Sequence, residues 1–360
     1  MSDAICERGC VEQIESKDDS MLDGYVAAHP QGSVYQLSSW AHIFRTLGYE
    51  SFGAMARREP GGPPTGMLRL YRVRGLQGRR LVAVPFRDRG GPLWDDPASL
   101  QLLLTYALET AQAQGAAEII VKSLQPMPAD LTSDYRFEER LHWIRSSVNL
   151  AGQSRERYWK ELGSKTRNMI RQAERAGLSV AASDNPLDEI DVWHELHLAT
   201  QQELGVPCFP RRFFAKMFAE LCPAGRLKLF VCRHKQEALA ACIVFRLGTT
   251  AIYGYSASYP AGRPMRPNDL MLFQVINSLI DEGFTCFDMG SDSPAQNSLL
   301  FFKKKWLAQQ EHLPTYVRGG KTVSMRDSSD ARYDWPRKFV QRLPRSLYRL
   351  LGSIPTPYFG

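Results

Sequence analysis

From Val34 onward the apolar positions keep two rhythms, one helical and one strand-like. Trp40, Ile43, Phe44 and Leu47 recur at i, i+3, i+4 and i+7, which predicts an amphipathic helix closed by Gly48. Short apolar runs follow at about 51–57, 66–73 and 80–86, broken by Gly61-Gly62-Pro63-Pro64 and by Gly75 and Gly78, and read as strands. Gly90-Gly91-Pro92 ends that stretch. A helix over 97–114 then stops at Gly115, and 118–123 reads as a buried strand. The same grammar returns later. Three runs, 227–233, 238–246 and 250–258, read as a meander, and a loop with Gly262, Pro264 and Pro267 leads to a helix over 268–282 stopped by Gly283. A strand over 284–288 follows. Meander, Pro/Gly loop, helix, glycine stop, strand: this order occurs twice and predicts two copies of one α/β unit.

Between the copies, 154–176 reads as a single strong helix ending at Gly177, with further helices over 187–204 and 210–221. Residues 1–30 read as a polar lead-in, 31–150 and 151–321 as the two domains, and 322–360 as a tail. In the tail Trp335, Phe339, Val340, Leu343, Leu347, Leu350 and Leu351 fall at helical spacing on either side of Pro344.

Composition narrows the class. With 44% hydrophobic and 23% charged residues, wholesale disorder is excluded. The longest strongly apolar run, 238–245, stops at Arg246, whereas a bilayer-spanning helix needs ~20 residues, so no transmembrane segment is expected. Glu7, Glu12, Glu15, Asp18 and Asp19 crowd a start that lacks an apolar core, which does not read as a signal peptide. A cytoplasmic location is the expectation. Seven cysteines without a C-x-x-C pair argue against a disulfide framework or a zinc site, and no metal is expected. Charge is uneven: residues 1–150 carry 16 basic against 18 acidic groups, but 331–360 carry six against one. The tail therefore suits an anionic membrane surface, and equally a helix packed on the second domain with its basic face outward.

Several motifs fail on inspection. His194-Glu195-Leu196-His197 brings its second histidine one residue too early for a zinc-protease helix, and a solvated helix face is the plainer reading. Gly254-Tyr255-Ser256-Ala257-Ser258 ends a meander without entering a helix, so it is no nucleophile elbow. Neither G-x-G-x-x-G nor a Walker motif is present. Two features carry more. Arg167, Arg171 and Arg175, with Lys165 nearby, lie at i, i+4 and i+8 on the 154–176 helix, a stripe suited to phosphate or a polyanion, or else a solvated face. A strand ending at Asp288 leads into Gly290, which permits a sharp turn, and then to Phe301-Phe302-Lys303-Lys304-Lys305-Trp306. A carboxylate at a strand end and a lysine among aromatics are reasonable active-site parts; a surface basic run is the competing reading.

The array Ser164-Lys165-x-Arg167-x-x-Ile170-Arg171-x-Ala173-Glu174-x-x-Gly177 resembles the start of the acyltransferase domain of FemAB-like proteins. So do Leu204-Gly205-Val206-Pro207 with Phe213-Phe214, Pro267-Asn268, Gly283-x-x-x-Phe287-Asp288-x-Gly290, Phe302-Lys303-x-x-Trp306, and Gly90-Gly91-Pro92-Leu93 after Pro85-Phe86. Coverage is about 30–318. The resemblance implies an α/β (α+β) chain of two GNAT-like acyltransferase domains in tandem, here followed by the amphipathic tail. It implies an N-acyltransferase acting on an amine of a cell-envelope polysaccharide or peptidoglycan precursor. The acyl donor would be a cosubstrate, aminoacyl-tRNA or acyl-CoA, and no cofactor would stay bound. It further implies Lys303 and Asp288 as catalytic residues, Lys303 at the oxyanion or a substrate phosphate and Asp288 as base or orienting group. Arg167, Arg171, Tyr255, Asn268, Gly290 and Trp306 would contact substrate. The Asn268 helix is preceded by Ala261-Gly262-Arg263 rather than a Q-x-x-G-x-G/A pyrophosphate loop. The competing function class is a non-catalytic module that binds a polysaccharide or lipid-linked intermediate.

Overall fold

The computed structural model describes residues 9–75, 78–87, 89–320 and 334–351. They form two compact units, one holding 9–142 with 313–320, the other 143–312 with 334–351. In the first unit β1 (Cys10–Gln13) precedes α1 (Asp19–Ala28) and α2 (Ser39–Arg45), and pairs antiparallel with β2 (Glu50–Arg57). β2, β3 (Pro64–Gly75) and β4 (Gly78–Val82) make the expected antiparallel meander, and the short β5 (Leu93–Trp94) pairs with β3. α3 (Pro97–Ala113) then crosses over, so that β6 (Ala116–Lys122) returns parallel to β4. A further helix, α4 (Ala129–Asp134), follows, and residues 315–319 close the far edge of β6 antiparallel. Beyond the last β4–β6 pair, Ala83 N donates to Ile120 O, and the Gly90-Gly91 turn docks on the strand end through Gly91 N to Lys122 O at 2.7 Å.

From Trp143 on, β7 (Glu138–Asn149) belongs to the second unit. Then come α5 (Arg155–Glu161), α6 (Ser164–Arg175), β8 (Leu178–Ala182), α7 (Ile190–Leu204) and α8 (Arg211–Leu221). β9 (Leu227–His234), β10 (Glu237–Leu247) and β11 (Thr250–Ser258) are a second antiparallel meander. α9 (Pro267–Asp281) crosses over and β12 (Cys286–Asp292) returns parallel to β11. The sheet order is β7-β12-β11-β10-β9-β8. After α10 (Asn297–Lys304), β13 (Gln309–Gly319) leads back to the first unit, and α11 (Asp334–Arg342) and α12 (Arg345–Leu351) form the tail.

The repeat read from the pattern is therefore present in both units. α3 and α9 each open on a proline, Pro97 and Pro267, and each is stopped by a left-handed glycine, Gly115 at φ 58° and Gly283 at φ 77°. Ten of the fifteen residues of α9 are buried, so it is covered on two sides. One cover is α6, whose buried Thr166, Ile170 and Ala173 fall on one stripe, leaving its basic face to solvent.

Three expectations need correction. Residues 1–30 are not merely a lead-in: β1 extends the first sheet and α1 buries Leu22 and Val26, a stripe of two residues too narrow to stand out in the sequence. The 154–176 helix is two helices broken at Leu162-Gly163, both in extended conformation; Arg167 Nη1 reaches back to the carbonyls of Trp159 and Lys160 at 3.3 and 3.0 Å and closes the end of α5. The face carrying His194 and His197 is not solvated. Both rings are buried, His197 Nε2 accepting from Phe209 N at 3.1 Å, and Trp193, Phe209 and Phe214 surround it. Among the described residues no helix is long and apolar enough to cross a membrane, and no group of side chains could hold a metal ion.

Candidate active site

The parallel ladder between β11 and β12 is short. It runs from Thr250↔Cys286 to Ile252↔Asp288, yet β11 continues to Ser258 and β12 to Asp292. What draws β12 away is a bulge against β7: Asp288 opposes Ser147, but the next pair is Ser291↔Arg145. Gly290 sits in that bulge at φ 78°, a conformation that a β-carbon would strain. The strands thus part beside Asp288. A cleft at the carboxyl end of parallel strands is a habitual ligand site in α/β sheets.

Three of the predicted residues meet there. Asp288 is 0% exposed; its Oδ1 accepts from Gly290 N at 2.7 Å and its Oδ2 takes the Arg145 guanidinium of β7, which also pairs with Glu311. Both carboxylate oxygens are thus engaged in holding the bulge and the neighbouring strand. Lys303, on α10, is buried: its Nζ lies 2.6 Å from Asp292 Oδ2 and 3.1 Å from Gly290 O. The ammonium therefore ties α10 to the bulge by donating to Gly290 O, and its charge is matched by Asp292. Its neighbours differ from it. Lys304 is exposed, whereas Lys305 pairs with buried Asp269 at 2.6 Å and lies 4.5 Å from the centre of the Phe302 ring. The lysine run is neither a solvated patch nor three equivalent groups.

The other predicted residues lie apart from this cluster. Asn268, at the start of α9, donates to Ser258 Oγ at 3.4 Å, and Ser258 N donates to Thr200 Oγ1 at 2.8 Å; these groups mark the end of β11. Tyr255 follows a bulge in β11, where Tyr253 pairs with Val244 but Tyr255 with Ile243. The bulge turns its ring to the face that carries Trp193, Phe209, Phe214 and Phe245, whereas Tyr253 packs with the α9 core. Arg171 stacks over Trp159 at 5.2 Å, and Arg167 serves the α5 end as described. Trp306 departs most from its expected role. It is 0% exposed within the core of the second unit, and its carbonyl accepts from Tyr158 Oη at 2.9 Å, so it positions α10 and does not line a cleft. Sequence reasoning missed Arg145 and Asp292. Arg145 lies on a strand with no clean alternation, and Asp292 shows its importance only once Lys303 is seen against it.

Residues 164–296 match the family model described as an acetyltransferase (GNAT) domain. Solved structures share the fold over nearly the whole chain. FemX is 16% identical with a TM-score of 0.68, covering 95% of this chain and 100% of that one. L-PGS from Bacillus licheniformis is 13% identical at 0.56, covering 95% and 98%. A tandem GNAT protein from the clavulanic acid biosynthesis pathway is 11% identical at 0.53, covering 87% and 100%. No curated protein matches the sequence. The chain thus shares the fold of FemX and of a tandem GNAT protein, and residues 164–296 match an acetyltransferase (GNAT) domain.

Proposed function

We propose that this chain transfers an acyl or aminoacyl group to a primary amine of a peptidoglycan or envelope-polysaccharide precursor. The observation that carries the reading is the parting of β11 and β12 inside the acetyltransferase domain, at the Asp288–Gly290 bulge. Among the described residues the β11–β12 ladder ends at Ile252↔Asp288, and a ligand can enter where parallel strands part at their carboxyl ends. In the reaction the amine nitrogen bonds to the donor carbonyl carbon, the carbon–oxygen or carbon–sulfur bond breaks, and the amine proton ends on the leaving atom. A further proton of Lys303 is assigned to the carbonyl oxygen as it gains charge, and Asp288, through Gly290, fixes the backbone that Lys303 rests on.

The start of α9 favours an aminoacyl ester as donor over acyl-CoA. The segment before it, Ala261-Gly262-Arg263, is not a Q-x-x-G-x-G/A pyrophosphate loop, and in its first turn buried Asp269 is paired with Lys305, which leaves that lysine no free charge for a pyrophosphate. The test offers charged tRNA and acyl-CoA separately, with envelope precursors, and reads the precursors by mass spectrometry. A gain of one aminoacyl residue with charged tRNA supports the reading. No gain with either donor, together with tight precursor binding, overturns it in favour of a binding module.

A further inference from the structure

The tail was expected either to pack on the second domain or to meet a membrane; its described helices pack on the second unit. α11 and α12, hinged at Pro344, dock along α7. Val340 and Leu343 pack with Leu198, Cys208 and Tyr348. Tyr348, 0% exposed, donates to Val206 O at 2.7 Å, Gln202 Nε2 to Leu343 O at 2.6 Å, and Gln341 Nε2 to Glu203 O at 2.7 Å. Arg345 and Arg349 both reach Glu195. Anchors at every turn fix which way the pair faces. With the inward stripe filled, three large apolar side chains still point to solvent: Phe339 at 56% exposed, Leu347 at 39% and Leu350 at 70%. Lys338 and Arg342 are exposed beside Phe339 on α11, Arg345 and Arg349 are held on Glu195, and residues 335–351 contain no acidic group.

We propose that this outward face docks on an anionic lipid surface, with Phe339, Leu347 and Leu350 entering the headgroup–acyl boundary and Lys338 and Arg342 lying among the phosphates. Apolar side chains set among cations on a short helix pair are the pattern of an interfacial membrane contact. The charge decides the partner. A neutral protein groove would accept the leucines but would not match the basic pair, whereas an anionic leaflet satisfies both. The proposal is independent of the transfer reaction.

The test is flotation of the full chain with phosphatidylcholine vesicles and with vesicles made half of phosphatidylglycerol. Capture by the anionic vesicles alone, reduced by salt, is expected. Lys338→Glu with Arg342→Glu should weaken it about 30-fold or more, since each basic group near such a surface contributes about fivefold. Leu347→Ser with Leu350→Ser should weaken it by at least tenfold at constant charge. All four residues are exposed, so melting temperatures should not move, and a shift would be corrected by repeating with each single variant. No capture at low salt, or equal capture of wild type and the double glutamate variant, overturns the proposal. So does salt-sensitive tRNA binding lost in the same variants without vesicle capture.

Discussion

Replacing Lys303 by Met isolates the pair at the centre of the site. The two side chains are 10% and 8% exposed and their charged atoms are 2.6 Å apart. Removing the ammonium leaves the Asp292 carboxylate buried and uncompensated, which costs about 3–5 kcal/mol of folding stability. Removing both charges, as in Lys303→Met with Asp292→Leu, should recover most of that loss, because apolar replacements of buried pairs are often neutral. Lys304→Ala, at an exposed position of the same run, should stay within about 0.5 kcal/mol. Urea midpoints with a common slope give these values. Chemistry is then separated from folding with Lys303→Arg, which keeps the pair but moves the donors. Its midpoint should hold while kcat falls at least tenfold if an ammonium proton meets the developing oxyanion. If Lys303→Met costs under about 1 kcal/mol, or the double variant is worse than the single, the pair is not the tether described. Unchanged kcat in Lys303→Arg would remove the lysine from the chemistry.

Acid should destabilise the second unit through His197. Burial and the neighbouring His194 push its pKa down from 6.5 to about 3, so the folded ring stays neutral while the unfolded one protonates below pH 6.5. Stability is therefore complete above that pH and should fall by up to about 1.4 kcal/mol per pH unit toward pH 3. His197→Gln should flatten the curve of urea midpoint against pH. Gly205→Ala should loosen the tail: φ is 69° there and a β-carbon would stand 2.8 Å from the Arg337 backbone oxygen. Faster proteolysis within 334–351, with the rest of the second unit intact, is the expected readout.

The repeat was legible because its punctuation is local. Pro97 and Pro267 at helix starts, and Gly115 and Gly283 at their ends, act through backbone geometry that neighbours alone determine. The meanders were legible for a similar reason, their turns being short and polar. Long-range order was not. β7 pairs with β12 across the chain, and its run of Glu138, Glu139, Arg140 and Arg145 conceals a strand behind charge. Leu162-Gly163 sits in a pattern whose apolar spacing runs straight through, so the break of the 154–176 helix needed tertiary contacts to show. At the site, Asp288, Gly290 and Lys303 were found by motif, but their roles were not. Burial converts a lysine run into one tether, one exposed charge and one helix-end partner, and spacing carries no information on burial. Trp306 makes the same point from the apolar side, a conspicuous aromatic that serves the core.

The two copies of the α/β unit differ at one spot. In the second, β11 and β12 separate after three pairs and leave an opening. In the first, the equivalent strands β4 and β6 are followed by Ala83 bonding onward to Ile120 and by the Gly90-Gly91 turn fastened to Lys122, whose own Nζ reaches the carbonyl of Arg87 at 2.6 Å. The ladder therefore ends early in the second copy, whereas in the first it is carried on by the loop that follows, so the same crossover leaves a strand edge in one unit and a fastened turn in the other.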